Sequence, residues 1–138
     1  MDLSIRTETF TQDAQDWLGS SHGTDTARSV TLDKSTFTLG THYPDGWLKS
    51  GIALGKITAT GLYGPYDDAL SNGQNVLAGF LYTGVPIRTT ADKDPGGALL
   101  LHCFVVEAKL PLAAASTGTA GKVDTNGKAD VAGRIIFV

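Results

Sequence analysis

From Ser29 onward the chain alternates short apolar runs with breaks rich in glycine, proline and asparagine, a texture of strands and tight turns. The stretch SVTLDKSTFT sets Val30 and Leu32 at alternate positions and predicts a first strand. YPDGW, Tyr43 to Trp47, is a turn by its chemistry, since Pro44 presets φ and Gly46 supplies a positive one. In IALGKITAT the apolar positions Ile52, Leu54, Ile57 and Ala59 keep a two-residue spacing that slips at Gly55, which predicts a bulge or sharp bend. LSNGQNVLAGFLY carries the Asn72-Gly73 hairpin signal ahead of an apolar run from Val76 to Tyr82. GALLLHCFVVEAKL, the longest apolar stretch, lies between Pro95-Gly96-Gly97 and Pro111 and is expected to be the central strand. PLAAAS can form one or two helical turns with Pro111 at the tolerated first position. VDTNGKADVAGRIIFV reads as an Asn126-Gly127 turn and a terminal strand from Arg134 to Val138. The expected fold class is all-β, with at most one or two short helices.

The first 28 residues break this texture. They are rich in Thr, Ser, Asp and Gln, and Leu3, Ile5, Phe10, Trp17 and Leu18 are their sizeable apolar groups. Such a segment buries too little surface to offset its own ordering entropy. The expected organisation is therefore an extended arm, residues 1–28, followed by a β-rich domain, residues 29–138. A polar strand such as LSIRTETFT can add to the exposed sheet edge of a partner. Leu3, Ile5 and Phe10 then fill pockets there, while Trp17 and Leu18 anchor the arm where it leaves the body. A chain beginning at Ser29 is expected to fold.

Composition narrows the function classes. At 138 residues the chain has the size of one domain. A net charge of −3 with 11 scattered basic residues lacks the clustered footprint of a nucleic-acid binder. The single cysteine excludes an intrachain disulfide, and no run approaches a membrane span. The N-terminal residues lack a basic start and an apolar core, so no signal peptide is read, and a soluble protein made in a cytoplasm is expected.

Candidate chemistry is sparse. Asp67 and Asp68 are adjacent, and in an extended strand neighbours face opposite sides, so a solvated turn is expected. Asp124, Asn126, Gly127 and Asp130 have part of a calcium-loop spacing without its full ligand ladder or terminal glutamate, and a hairpin turn accounts for them. His22, His42 and His102 stand far apart in sequence, with no zinc spacing among them. His102 and Cys103 are neighbours on an apolar strand and cannot pair as base and nucleophile. Cys103 is expected to be a small buried hydrophobe. The glycines from Gly51 to Gly64 match neither phosphate-binding pattern. No catalytic residue, metal or cofactor is expected.

The same glycines carry a resemblance. Ser50-Gly51, Leu54-Gly55-Lys56, the turn from Gly61 to Asp67, and Ala78-Gly79-Phe80-Leu81 resemble the head decoration (capsid-stabilising) proteins of tailed bacteriophages, the phage lambda decoration protein-like family. LHCFVVEAKLP and the terminal AGRIIFV are similar to that family's last two strands, so the likeness spans roughly residues 29 to 138. The chain departs from the pattern at Lys49, where proline is common, and at Phe80, where isoleucine is usual. The resemblance implies a small β-clip or β-tulip domain without enzymatic activity or cofactor. Three copies of it sit at local threefold positions on the outer surface of an expanded capsid. There they bind the major capsid protein and cement adjacent capsomers. It further implies that Gly51, Gly55, Gly61, Gly64 and Pro65 serve backbone turns, and that Trp47, Tyr63 and Tyr66 are trimer or packing aromatics. Nucleic acid and membrane are not among the implied partners.

Two other classes fit parts of the pattern. A carbohydrate-binding or adhesion β module on a virion surface would use Trp47, Tyr63 and Tyr66 to stack on sugars. A trimeric dUTPase-like enzyme would use the Arg28-Ser29 pair on phosphate, but its remaining motifs do not accompany that pair.

Overall fold

The computed structural model describes residue 5 and residues 13–87, 93–112 and 120–138. Strand β1 (Arg28–Thr31) is followed by a single helical turn, α1 (Leu39–His42), and by β2 (Trp47–Leu48), β3 (Ala53–Lys56) and β4 (Tyr63–Pro65). Then come β5 (Leu77–Leu81), β6 (Val85–Pro86), β7 (Gly96–Leu100), β8 (Cys103–Val105), helix α2 (Thr125–Asp130) and β9 (Ile135–Phe137). The protein is β-rich with two short helices, as the turn-dense sequence predicts. Five strands form an antiparallel sheet in the order β1-β7-β5-β3-β4, β2 pairs with β6, and β8 runs parallel to β9.

The apolar runs are continuous because the large sheet is buried on both faces. Ala53, Phe80 and Leu100 enter one apolar cluster, together with Trp17 and Tyr66. Their chain neighbours Leu54, Leu81 and Leu99 enter the other, with Leu32 and Leu48. Successive strand residues point to opposite faces, so each adjacent apolar pair feeds both clusters.

Gly55 lies at the expected irregularity. The β3–β5 register runs Ala53↔Phe80 and Leu54↔Gly79, then Gly55↔Leu77, which leaves Ala78 as the extra residue of a bulge. The Ala78 carbonyl accepts from Arg134 Nη1 at 3.3 Å. Only two of the four glycines assigned to turns act through their φ: Gly51 at 94° and Gly61 at 74°. Gly55 and Gly64 face one another across β3 and β4, where their missing side chains make room for Gln74. A Cβ on Gly55 would lie 2.6 Å from the Gln74 carbonyl oxygen, and one on Gly64 would lie 2.5 Å from Gln74 Nε2. Gln74 is buried there, donating from Nε2 to the Pro65 carbonyl at 2.9 Å and accepting from Asn72 at 2.9 Å.

Several expectations are corrected. The run from Gly96 to Val105 is two strands, because the chain turns at Leu101-His102 and passes from the large sheet to the β8–β9 pair. The central strand is β5. Asn72-Gly73 does not close a hairpin, since β3 lies between β4 and β5; Gly73 instead packs against Lys56 and Thr58. Asn126-Gly127 lies in α2, whose N-cap Asp124 accepts from Gly127 N at 2.8 Å, a bond that starts a helix in place of a hairpin. Most of the PLAAAS segment falls outside the described residues.

The largest correction concerns the arm. Trp17 has 0% exposure in the main core, and Leu18 bridges Val105 along an edge of β8. Val106 N donates to the Trp17 carbonyl at 2.6 Å and Gly19 N to the Phe104 carbonyl at 2.9 Å. The folded body therefore begins by Asp13, not at Ser29. One buried tryptophan outweighs the polar composition around it.

Candidate binding cleft

The turn from Tyr43 to Gly46 closes with Gly46 N donating to the Tyr43 carbonyl at 3.0 Å, with Gly46 at φ 86°. It delivers the chain to β2, where alternation buries Leu48 and Ser50 and turns Trp47 and Lys49 outward. Trp47 is 50% exposed. Asp45 is held beside it, accepting from Trp47 N at 3.2 Å. Asp13 reaches in from the N-terminal segment and clips two loops together, accepting from Ser50 N at 3.4 Å and Gly84 N at 2.7 Å. Ser50 Oγ receives the Trp17 indole N–H at 2.9 Å and donates to the Tyr82 carbonyl at 2.5 Å. These bonds fix the base of a cleft of about 300 Å3, with Trp47 on its wall and Asp16, Asp45, Lys49 and Lys109 around it.

The other aromatics grouped with Trp47 in the sequence lie elsewhere. Tyr63, on β4, lines a second recess of about 460 Å3 with Arg28, Val30 and Lys56. That recess lies between the edge strands β1 and β4, where Leu32, the residue after β1, bridges Tyr63. Tyr66 is 1% exposed and donates its hydroxyl to Asp124 Oδ1 at 2.7 Å. Burial, then that bond and the neighbouring carboxylates, push its pKa well above the ordinary phenol value. Tyr66 is a packing aromatic and has no face for a sugar. Of the expected partner-binding residues, Leu3 and Phe10 lie outside the described residues and Ile5 is 93% exposed. Trp17 has no surface to offer a partner, and Leu18 is half-buried.

The candidate acids have structural partners, and the candidate nucleophile is buried. Asp67 accepts from Ala69 N and Asp68 from Asn126, while Asp130 accepts from Leu77 N. Cys103 is buried, and burial pushes its thiol up to about 11. Among the described residues no three His, Cys, Asp or Glu side chains gather as metal ligands. No described helix is long and apolar enough to cross a membrane.

The histidines depart from expectation. His22 and His102, far apart in the sequence, meet with Nε2 and Nδ1 2.9 Å apart, tying the N-terminal segment to the corner between β7 and β8. His42 is buried; its Nδ1 accepts from Thr38 N at 2.8 Å, which leaves Nε2 to donate to the Ala120 carbonyl at 3.0 Å. Burial lowers its pKa, partly countered by the Ala120 bond. No short motif announces either arrangement, because each depends on chain segments distant in sequence.

No protein-family model matches this chain, nor does any curated protein sequence or solved structure.

Proposed function

We propose that this protein is a structural component of a tailed-phage virion, binding the outer surface of the expanded capsid as a trimer and cementing adjacent capsomers. The observation that carries this reading is the assembly of the resembling motifs into one unit. Leu54-Gly55-Lys56, the Gly61 to Asp67 turn and Ala78 to Leu81 lie on or beside the adjacent strands β3, β4 and β5. Within that unit Gly55 and Gly64 together accommodate Gln74, and Gly79 accommodates the Leu100 carbonyl, so the motif glycines act on a common framework. The reading rests on those motifs and that framework, not on a matched relative. Engagement of the candidate acids in caps and turns, and burial of Cys103, support a role without catalysis. Leu39, Ile136 and Val138 are each at least half exposed and are suited to contacts between subunits or with the capsid.

Co-sedimentation with capsids of the phage that encodes the chain tests this. Saturable binding to expanded shells, and none to unexpanded ones, is the expected result. A protein left wholly in the supernatant of expanded shells with vacant threefold positions contradicts the proposal.

A further inference from the structure

We infer that the cleft beside Trp47 is a binding site for a neutral, hydroxyl-rich ring, a pyranose unit of a polysaccharide. The size comes first: about 300 Å3 is at the small end of ligand pockets and suits one sugar ring. The wall is a half-exposed indole, an apolar plate that matches the C–H face of a pyranose. Beside the plate are polar groups of both kinds. Asp16 and Asp45 offer acceptors for sugar hydroxyls, and Lys49 and Lys109 offer donors.

The charge balance selects the ligand class. An indole with two carboxylates alone would suit a cation, but two ammonium groups line the same cleft and oppose one. The two carboxylates likewise oppose an anion. The only ion pair among the described residues joins Lys128 to Glu107, so these four groups do not quench one another. Asp13 is engaged by two backbone N–H groups and shapes the base of the cleft. Asp45 is positioned by its bond from Trp47 N, which fixes its carboxylate against the backbone that carries the indole. The cleft shares Ser50 with the resembling motifs, but Trp47, Asp16, Asp45, Lys49 and Lys109 lie outside them, and the inference does not depend on the capsid reading.

The chain contains two tryptophans, one buried behind the cleft base and one on its wall, so the two indole resonances report on the fold and on the wall. Uniformly 15N-labelled full-length protein is titrated with the methyl glycosides of glucose, galactose, mannose and N-acetylglucosamine. A glycan array carrying neutral, sialylated and phosphorylated polysaccharides is probed in parallel. The Trp47 indole resonance is expected to shift saturably with at least one neutral glycoside, at about millimolar affinity for a single ring, and by more than the Trp17 resonance, whose N–H sits behind the cleft base on Ser50. Trp47→Ala and Asp45→Asn should each weaken binding about tenfold or more, with the Trp17 resonance reporting an intact fold. The inference is overturned if no neutral glycan moves the Trp47 signal or binds on the array. It is equally overturned by a preference for charged ligands, or by undiminished binding in folded Trp47→Ala.

Discussion

Replacing Trp17 with alanine tests whether the N-terminal segment belongs to the folded body. The indole is fully buried, lies 5.6 Å from the Phe80 ring centroid, and donates to Ser50 Oγ at 2.9 Å. Removing a buried tryptophan costs about 3–5 kcal/mol, because the cavity adds to the lost transfer energy. Ser50 keeps its bond to the Tyr82 carbonyl, so the lost indole bond adds little beyond that range. Domains of this size are stable by about 5–15 kcal/mol, and the loss is a large share of that. With a urea slope of roughly 2 kcal/mol per M, the unfolding midpoint should fall by about 2 M. The assay is urea denaturation followed by far-ultraviolet circular dichroism, with the fluorescence of the remaining Trp47 as second probe. A chain starting at Ser29 also loses the Leu18 bridge and the Asp13 and Gln15 bonds, and should be largely unfolded at 25 °C. A midpoint shift below about 0.3 M for Trp17→Ala, well outside what a buried tryptophan allows, would refute the reasoning.

Further outcomes follow from four single residues. His42 has a folded pKa below 6.5, so as pH drops below that value the unfolded chain takes up a proton that the folded chain refuses. Wild-type stability should therefore fall with decreasing pH by up to about 1.4 kcal/mol per unit, a component absent from His42→Gln when denaturation is repeated between pH 7.5 and 5. Gly79→Ala sets a Cβ 2.1 Å from the Leu100 carbonyl oxygen and should lower stability by about 2–4 kcal/mol. Gly40→Ala, in α1 with nothing within 4 Å, should leave stability unchanged or raise it by about 0.5 kcal/mol, and thermal melts that rank the two the other way would contradict the packing. Cys103, buried with a thiol pKa of about 11, should resist a disulfide reagent at pH 8 until the protein unfolds, and complete labelling of native protein within seconds would contradict its burial.

What was legible in the sequence was local. The YPDGW turn, the Gly55 irregularity and the terminal strand follow from φ preferences and two-residue periodicity, which neighbouring residues suffice to express. The break at Leu101-His102 was not legible, because no glycine or proline punctuates it and both flanking strands are apolar. Helix α2 replaced the expected hairpin because Asp124 caps it and because Gly127 backs onto the Tyr66 ring, where a Cβ would lie only 3.1 Å from the ring, an approach between distant segments. The glycines of the β3–β4 hairpin stand out in the sequence, yet the role of Gly55 and Gly64 depends on Gln74 arriving from a later loop. In the cleft, Trp47 was visible as an exposed aromatic candidate. Asp13 and Lys109 were not, since only the folded chain brings them to it.

Image reconstruction of capsids decorated with this protein tests the proposed function most directly. The account predicts density for three copies at each local threefold position on the outside of the expanded shell, touching neighbouring capsomers. Expanded capsids that carry no added density, or that carry single copies or twofold pairs, would contradict it.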